Sequence, residues 1–141
     1  MKNLRVLIPI LLSVLAGCSS QSPQTNAQAE AITLSVTKWS GKTELFMEYP
    51  PLVAGKTGRF AVHFTNLSDF KAVTGGRVTV ELQGGGSPDR FAADPQKGPG
   101  IFGVNVTPQK AGIYSMTVKL ESPAVSDSVL VGDVTALKED V

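Results

Sequence analysis

Phe60-Ala61-Val62-His63-Phe64-Thr65 sets three bulky apolar residues on one side of an extended chain and Ala61, His63 and Thr65 on the other. Successive side chains of a strand point to opposite faces, so this period of two reads as a strand half buried against a core. The same alternation recurs on both sides of it. Ile32, Leu34 and Val36 alternate with Thr33, Ser35 and Thr37, and Leu45, Met47 and Tyr49 repeat the pattern until Pro50-Pro51 stops it. Downstream come Val78, Val80 and Leu82, ended by Gly84-Gly85-Gly86, then Phe102, Val104 and Val106, closed by Pro108. Tyr114, Met116, Val118 and Leu120 follow, and Val129 to Val134 makes the last such segment. No segment carries a helical period of useful length.

Fourteen Gly and nine Pro punctuate the chain at strand-length intervals, which is how all-β folds are laid out. The expectation is an immunoglobulin-like antiparallel β-sandwich of about seven strands over residues 31–137, with 138–141 as a short tail. Ala111-Gly112-Ile113-Tyr114 opens a late strand and predicts a tyrosine corner, the Tyr114 hydroxyl bonding back to nearby backbone. No cysteine pair exists, so a disulfide-bridged antibody-type domain is excluded.

The single cysteine, Cys18, ends the run Leu15-Ala16-Gly17-Cys18. Ahead of it stand Lys2 and Arg5 and a short apolar stretch, Val6 to Ala16, broken by Pro9 and Ser13. A basic start, a short apolar region and small residues before a cleavage point make residues 1–17 a secretory signal peptide. The stretch is well below the ~20 residues of a spanning helix. The four residues resemble a bacterial lipobox, which implies a covalent lipid on Cys18, its only cofactor-like group, and a membrane anchor. Ser19 to Glu30 holds no aliphatic residue larger than Ala, so residues 18–30 read as the lipidated cysteine and a disordered tether. An aspartate after the lipidated cysteine favours the inner membrane in enterobacteria; Ser19 therefore leans towards the outer membrane, facing the periplasm.

Lys2 and Arg5 leave with the signal, which reduces 13 basic residues to 11 against 12 acidic ones, a net charge of −1. A nucleic-acid partner needs a basic face, and this balance argues against one. With Cys18 lipidated, disulfides and cysteine-ligated metals are excluded.

Catalytic chemistry finds little support. The one histidine, His63, sits mid-strand on the side away from Phe60 and Phe64, and no nucleophile elbow, phosphate loop or nucleotide fingerprint is present. Gly84-Gly85-Gly86 lacks the lysine and helix of a phosphate cradle and reads as a hairpin tip. Asp89 and Asp94 flank Arg90-Phe91 and read as a solvated loop with a local arginine pair. Met47 and Met116 are soft donors of the kind copper or silver prefers, yet each lies on an apolar stripe, where packing explains it. Trp39 fits either a core plug or an exposed contact. The expectation is a protein that binds or supports something and is not an enzyme.

Three longer runs carry a recognisable pattern: residues 43–55 (Thr-Glu-Leu-Phe-Met-Glu-Tyr-Pro-Pro-Leu-Val-Ala-Gly), residues 59–71 (Arg-Phe-Ala-Val-His-Phe-Thr-Asn-Leu-Ser-Asp-Phe-Lys) and Pro99-Gly100-Ile101-Phe102. With Ala111-Gly112-Ile113-Tyr114 and Leu120-Glu121-Ser122-Pro123, they resemble the N-terminal region of periplasmic adaptor subunits (membrane fusion proteins) of RND-type efflux pumps, the heavy-metal branch especially. The likeness spans about residues 32–135. It implies a non-catalytic, membrane-anchored module of a metal or drug efflux system, with an RND pump and an outer-membrane channel component as partners. Full adaptors continue into a β-barrel, a lipoyl-like domain and an α-helical hairpin, which contact pump and channel. This sequence reads as either the front of such a protein or an accessory lipoprotein, and tripartite assembly by these residues alone is not expected.

The residues expected to meet a partner are Glu44, Phe46 and Glu48, with Phe70 and Lys71 in a nearby loop. Phe46 lies opposite the Leu45-Met47-Tyr49 stripe; burial in a second sheet or neighbouring domain is its other reading. Some heavy-metal adaptors carry metal-binding methionines near the mature N-terminus, and the tether here has none. The Pro-Gly-Ile-Phe and Ala-Gly-Ile-Tyr segments also resemble small envelope modules tied to copper handling. The alternative is thus a stand-alone periplasmic metal-binding lipoprotein using His63, Met47, Asp89 and Asp94.

Overall fold

Alternating apolar residues drive this chain into strands throughout. A computed structural model describes residues 31–94, 96 and 98–139. Residues 1–30, expected to be a signal peptide, the lipidated Cys18 and a tether, and the last two residues of the expected tail lie outside the described residues. Among the latter there is no helix, and so none long and apolar enough to cross a membrane. In chain order the strands are β1 (Leu34–Trp39), β2 (Thr43–Tyr49), β3 (Leu52–Val53), β4 (Gly58–Asn66) and β5 (Lys71–Ala72). The second half adds β6 (Arg77–Gln83), β7 (Asp89–Ala92), β8 (Phe102–Val106), β9 (Gly112–Glu121) and β10 (Ser126–Leu137).

The seven long strands are the seven alternating segments of the sequence. The three extra ones, β3, β5 and β7, are two to four residues long and carry no alternation to read. They raise the count from about seven to ten.

The strands form two sheets facing one another. Sheet A runs β1-β2-β4, and the far side of β4 pairs with β8 along Gly58–Val62 and with β5 at Thr65–Asn66. Sheet B runs β3-β10-β9-β6-β7. Pairing is antiparallel everywhere except β3 on β10, where Leu52 and Val53 pair in parallel with Ala136 and Leu137. The departure has a simple cause. Pro50-Pro51 carries the chain from β2 across to sheet B without reversing it, and β10 already runs in that direction. At the opposite edge the end of β7 crosses the other way, through a bridge between Ala93 and Val104 of β8.

The inward residues of both sheets merge in one core, which includes Phe60, Phe64, Phe102, Leu45 and Met47 of sheet A and Leu82, Met116 and Leu120 of sheet B. Each side chain of that size contributes ~1.5–3 kcal/mol by leaving water. In β10 the register slips between Leu130 and Gly132, whose φ of 118° suits glycine. The extra residue reverses the alternation, so Val129 and Val131 point inward before the bulge and Ala136 after it. The Tyr114 hydroxyl donates to the Lys110 carbonyl at 2.8 Å, the tyrosine corner expected from the sequence. Its ring covers Gly84 so closely that a Cβ there would lie 2.5 Å from a ring carbon.

Polar bonds tie the two sheets together at the β1–β2 hairpin. Thr43 is the one fully buried polar residue among those described, and its hydroxyl donates to Asp127 of β10 at 2.6 Å. Ser40 donates to the same Asp127 oxygen, while its own hydroxyl accepts the backbone N–H groups of Lys42 and Thr43 at 2.9 Å each. Partial burial pushes the Asp127 carboxyl up, but the hydrogen bonds from Ser40, Thr43 and the Ser128 N–H, with the charge of Lys42, outweigh it and hold it below its ordinary value.

Candidate functional site: the outward face of sheet A

Because Leu45 and Met47 of β2 are fully buried, Glu44, Phe46 and Glu48 must point away from sheet B. Register lines up their neighbours. Glu44 lies between Trp39 and Thr65, Phe46 between Thr37 and His63, and Glu48 between Ser35 and Ala61. Phe46 packs on His63 across the strands, ring centroids 5.8 Å apart and tilted by 45°. Of the two readings open for Phe46, burial in the second sheet is the one the structure rejects: the ring is half-buried, on the side facing away from it.

Trp39 is 64% exposed and sits diagonally from Phe46, within reach of an aromatic side chain. Sequence reading left it undecided, although a signal existed. Trp39 shares parity with Ser35 and Thr37, the outward positions of β1, and not with Val36. Continuing the β4–β8 register by one residue sets Ile101, 50% exposed, opposite His63. A stripe of Trp39, Phe46, His63 and Ile101 thus crosses the face from one edge to the other.

The charges on this face are unevenly engaged. Arg59 bonds Asp94 at 2.5 Å and Asn105 at 3.0 Å near the β4–β8 end. Glu44 and Glu48 form no ion pair with any described residue. On sheet B, by contrast, Glu81 accepts Arg90 at 2.7 Å and Lys119 at 2.9 Å, and those hydrogen bonds hold its carboxyl below the usual range.

Phe70 and Lys71 occupy the β4–β5 turn, at the end of sheet A that also carries Trp39. The Asn66 side chain accepts the Ser68 N–H at 3.0 Å, the Asp69 side chain accepts the Lys71 N–H at 3.1 Å, and the Phe70 N–H donates to the Asn66 carbonyl at 2.8 Å. These bonds hold Phe70 at φ 56°, a left-handed conformation uncommon for a bulky residue, and leave it 78% exposed.

The metal-ligand candidates do not converge. His63 lies on the outward face of sheet A and Met47 on its inward face, fully buried. Asp94 is held by Arg59, while Asp89 opens β7 opposite Leu82. The expected local pairing of these aspartates with Arg90 is corrected: Arg90 bonds Glu81, since neighbours on a strand point to opposite faces. Among the described residues no three His, Cys, Asp or Glu side chains gather as a metal site. No hydrogen bond joins His63 to another described side chain.

A cleft of about 400 Å³ opens between β1 and the C-terminal half of β10, its apolar residues Leu34, Tyr49, Pro51, Leu52, Val134 and Leu137 joined by the polar Asp133 and Thr135. Burial there pushes the Tyr49 hydroxyl above its ordinary value. Compared with protein-family models, with curated proteins and with solved structures, the chain shows no significant match in any of the three.

Proposed function

We propose that this chain is a non-catalytic, lipid-anchored periplasmic module of an RND-type efflux system, equivalent to the N-terminal part of an adaptor subunit, and that it works by docking through the outward face of sheet A. The observation that carries the docking is the state of that face. Phe46 and Trp39 are held out of the core, and Glu44 and Glu48 beside them form no ion pair with any described residue. The exposed Phe70, kept in a left-handed turn, extends the same surface; strained, exposed aromatics gather where a contact is made. The anchor rests on Leu15-Ala16-Gly17-Cys18, and the efflux partner on the resemblance of residues 43–55 and 59–71 to adaptors.

The test is recovery of the RND pump subunit with the membrane-tethered full chain after mild cross-linking. Phe46→Ala is expected to lower that recovery several-fold while lowering the thermal midpoint by no more than about 10 °C, the loss of a half-buried ring. Undiminished recovery, or a collapse of the midpoint, overturns the docking role. Cys18→Ser is expected to move the protein from the membrane fraction to the soluble one.

A further inference from the structure

We infer that the outward face of sheet A takes a basic, extended segment of a partner protein, added as a strand to the free edge of β1 with its cationic side chains reaching Glu44 and Glu48. The inference rests on the reading of this face as a docking surface and names what docks there.

Three observations lead to it. First, among the described residues β1 hydrogen-bonds to β2 alone, and its other edge, which lies near β10 without pairing to it, carries the backbone donors and acceptors of Leu34–Trp39 without proline or bulge. Such an edge is a template for an incoming strand. Second, of the outward residues of β1, Ser35 and Thr37 are small and leave the way to Glu48 open, while Trp39 lies across from Glu44 and offers its ring as the surface over which a cation reaches that carboxylate. An added strand would lie two inter-strand spacings from β2, roughly 10 Å, a gap that an extended arginine and a glutamate close between them. Third, the side chains waiting there suit cations. Glu44 and Glu48 form no ion pair with a described residue, are four residues apart on one face, and so stand roughly 13 Å apart. That spacing matches positions four apart on an extended peptide. Trp39 and Phe46 offer ring faces, on which a guanidinium stacks more readily than an ammonium.

A second copy of this chain is the weaker occupant. Lys38 lies on the core-facing side of β1, opposite Leu45. Pairing β1 with the β1 of a second copy would put two Lys38 side chains on that side, whereas a partner segment need carry no charge there. The β1 edge of a second copy would also bring no arginine to meet the glutamates.

The probe is a blocked heptapeptide alternating arginine with threonine, added to the isotope-labelled chain, with amide shifts followed by NMR. The expected result is saturable shifts of the Leu34–Trp39 amides and the Trp39 indole N–H, slowed exchange of alternate β1 amides, and a Kd below about 1 mM. Glu44→Gln/Glu48→Gln is expected to weaken binding about tenfold, and so is raising salt towards ~1 M, where charges a few ångströms apart are screened. Arginine replaced by glutamate in the peptide is expected to abolish binding. No saturable shift at millimolar peptide, shifts away from β1, or equal binding of the glutamate peptide each overturns the inference. Concentration-dependent dimerisation through β1, seen by sedimentation, assigns the edge to a second copy and overturns it as well. Pump recovery is a separate readout. Peptide binding with no recovered pump defeats the efflux reading alone, and recovery without peptide binding defeats this one alone.

Discussion

The two outer faces of this sandwich are built from the same kind of strand and differ in what they leave undone. On sheet B, Glu81 gathers Arg90 from β7 and Lys119 from β9, so one carboxylate neutralises cations on both flanking strands. On sheet A, Glu44 and Glu48 flank Phe46 with no ion pair to any described residue, and Trp39 stands beside them 64% exposed. Sheet B has exposed residues of its own: Ile113 lies opposite Thr135 and diagonal to Leu137, Leu130 lies opposite Thr117, and Asp133 forms no ion pair with a described residue, but none of these exposed apolar residues is aromatic. What sets sheet A apart is that Trp39 and Phe46 stand at adjacent rungs beside Glu44 and Glu48, and this is the face proposed above to take a partner.

The comparison is broken most readily by stability. Phe60 and Phe46 belong to adjacent strands of the same sheet and point in opposite directions. Phe60 is 0% exposed, so Phe60→Ala is expected to cost about 3–5 kcal/mol in urea unfolding. Phe46→Ala removes a half-buried ring and its contact with His63, an aromatic pair contributing of order 1 kcal/mol beyond area burial. If the two variants unfold at similar urea concentrations, sheet A has no free face and the contrast disappears.

The seam between the sheets comes next. Asp127→Ala leaves the buried Thr43 hydroxyl without its acceptor, at a cost of about 1–3 kcal/mol. The same carboxylate sets a pH dependence. Its folded pKa lies below the ordinary 3.8. Its contribution is therefore complete above the unfolded value and fades as pH falls through the lower folded one. Acid titration of wild type against Asp127→Asn, monitored by circular dichroism, is expected to show a shallower loss of stability below about pH 4 in the variant.

How much of this was legible beforehand divides along physical lines. Period-two alternation gave every long strand and the outward placement of Phe46 and His63, because burial on one side is written residue by residue. The short strands were not legible. Leu52-Val53 pairs only because Pro50-Pro51 delivers it to the edge of β10, and a two-residue strand has no pattern of its own. Partners of charged groups were equally hidden. Arg90 sits next to Asp89 in sequence yet bonds Glu81, since cross-strand register and not chain proximity sets who meets whom. Trp39 was readable from parity alone and was left undecided because it closes its strand.

Glu81 measures how far sheet B depends on its own pairs. Glu81→Gln is expected to cost ~0.2–1 kcal/mol at low salt and less at high salt, the range of partly exposed ion pairs. The pairing with Arg90 and Lys119 depresses the Glu81 pKa below 4.5. The difference between wild type and variant is thus present above about pH 4.5 and shrinks as the pH falls through the folded value. A cost that persists undiminished in high salt would show that packing, not charge, holds that face.

The smallest effect is the most telling. Glu44→Gln and Glu48→Gln remove charges that pair with nothing described, so neither is expected to move the unfolding midpoint by more than surface substitutions do, ~0.5 kcal/mol in either direction. Their two like charges repel weakly across water, and removing one tips any small change towards stabilisation. A carboxylate that contributes nothing to the fold, next to one of the same type that holds two cations on the opposite face, is free to act between molecules. Should either glutamine variant instead destabilise the domain as much as Glu81→Gln does, Glu44 or Glu48 already has a partner within the chain, and the outward face of sheet A becomes as self-contained as that of sheet B.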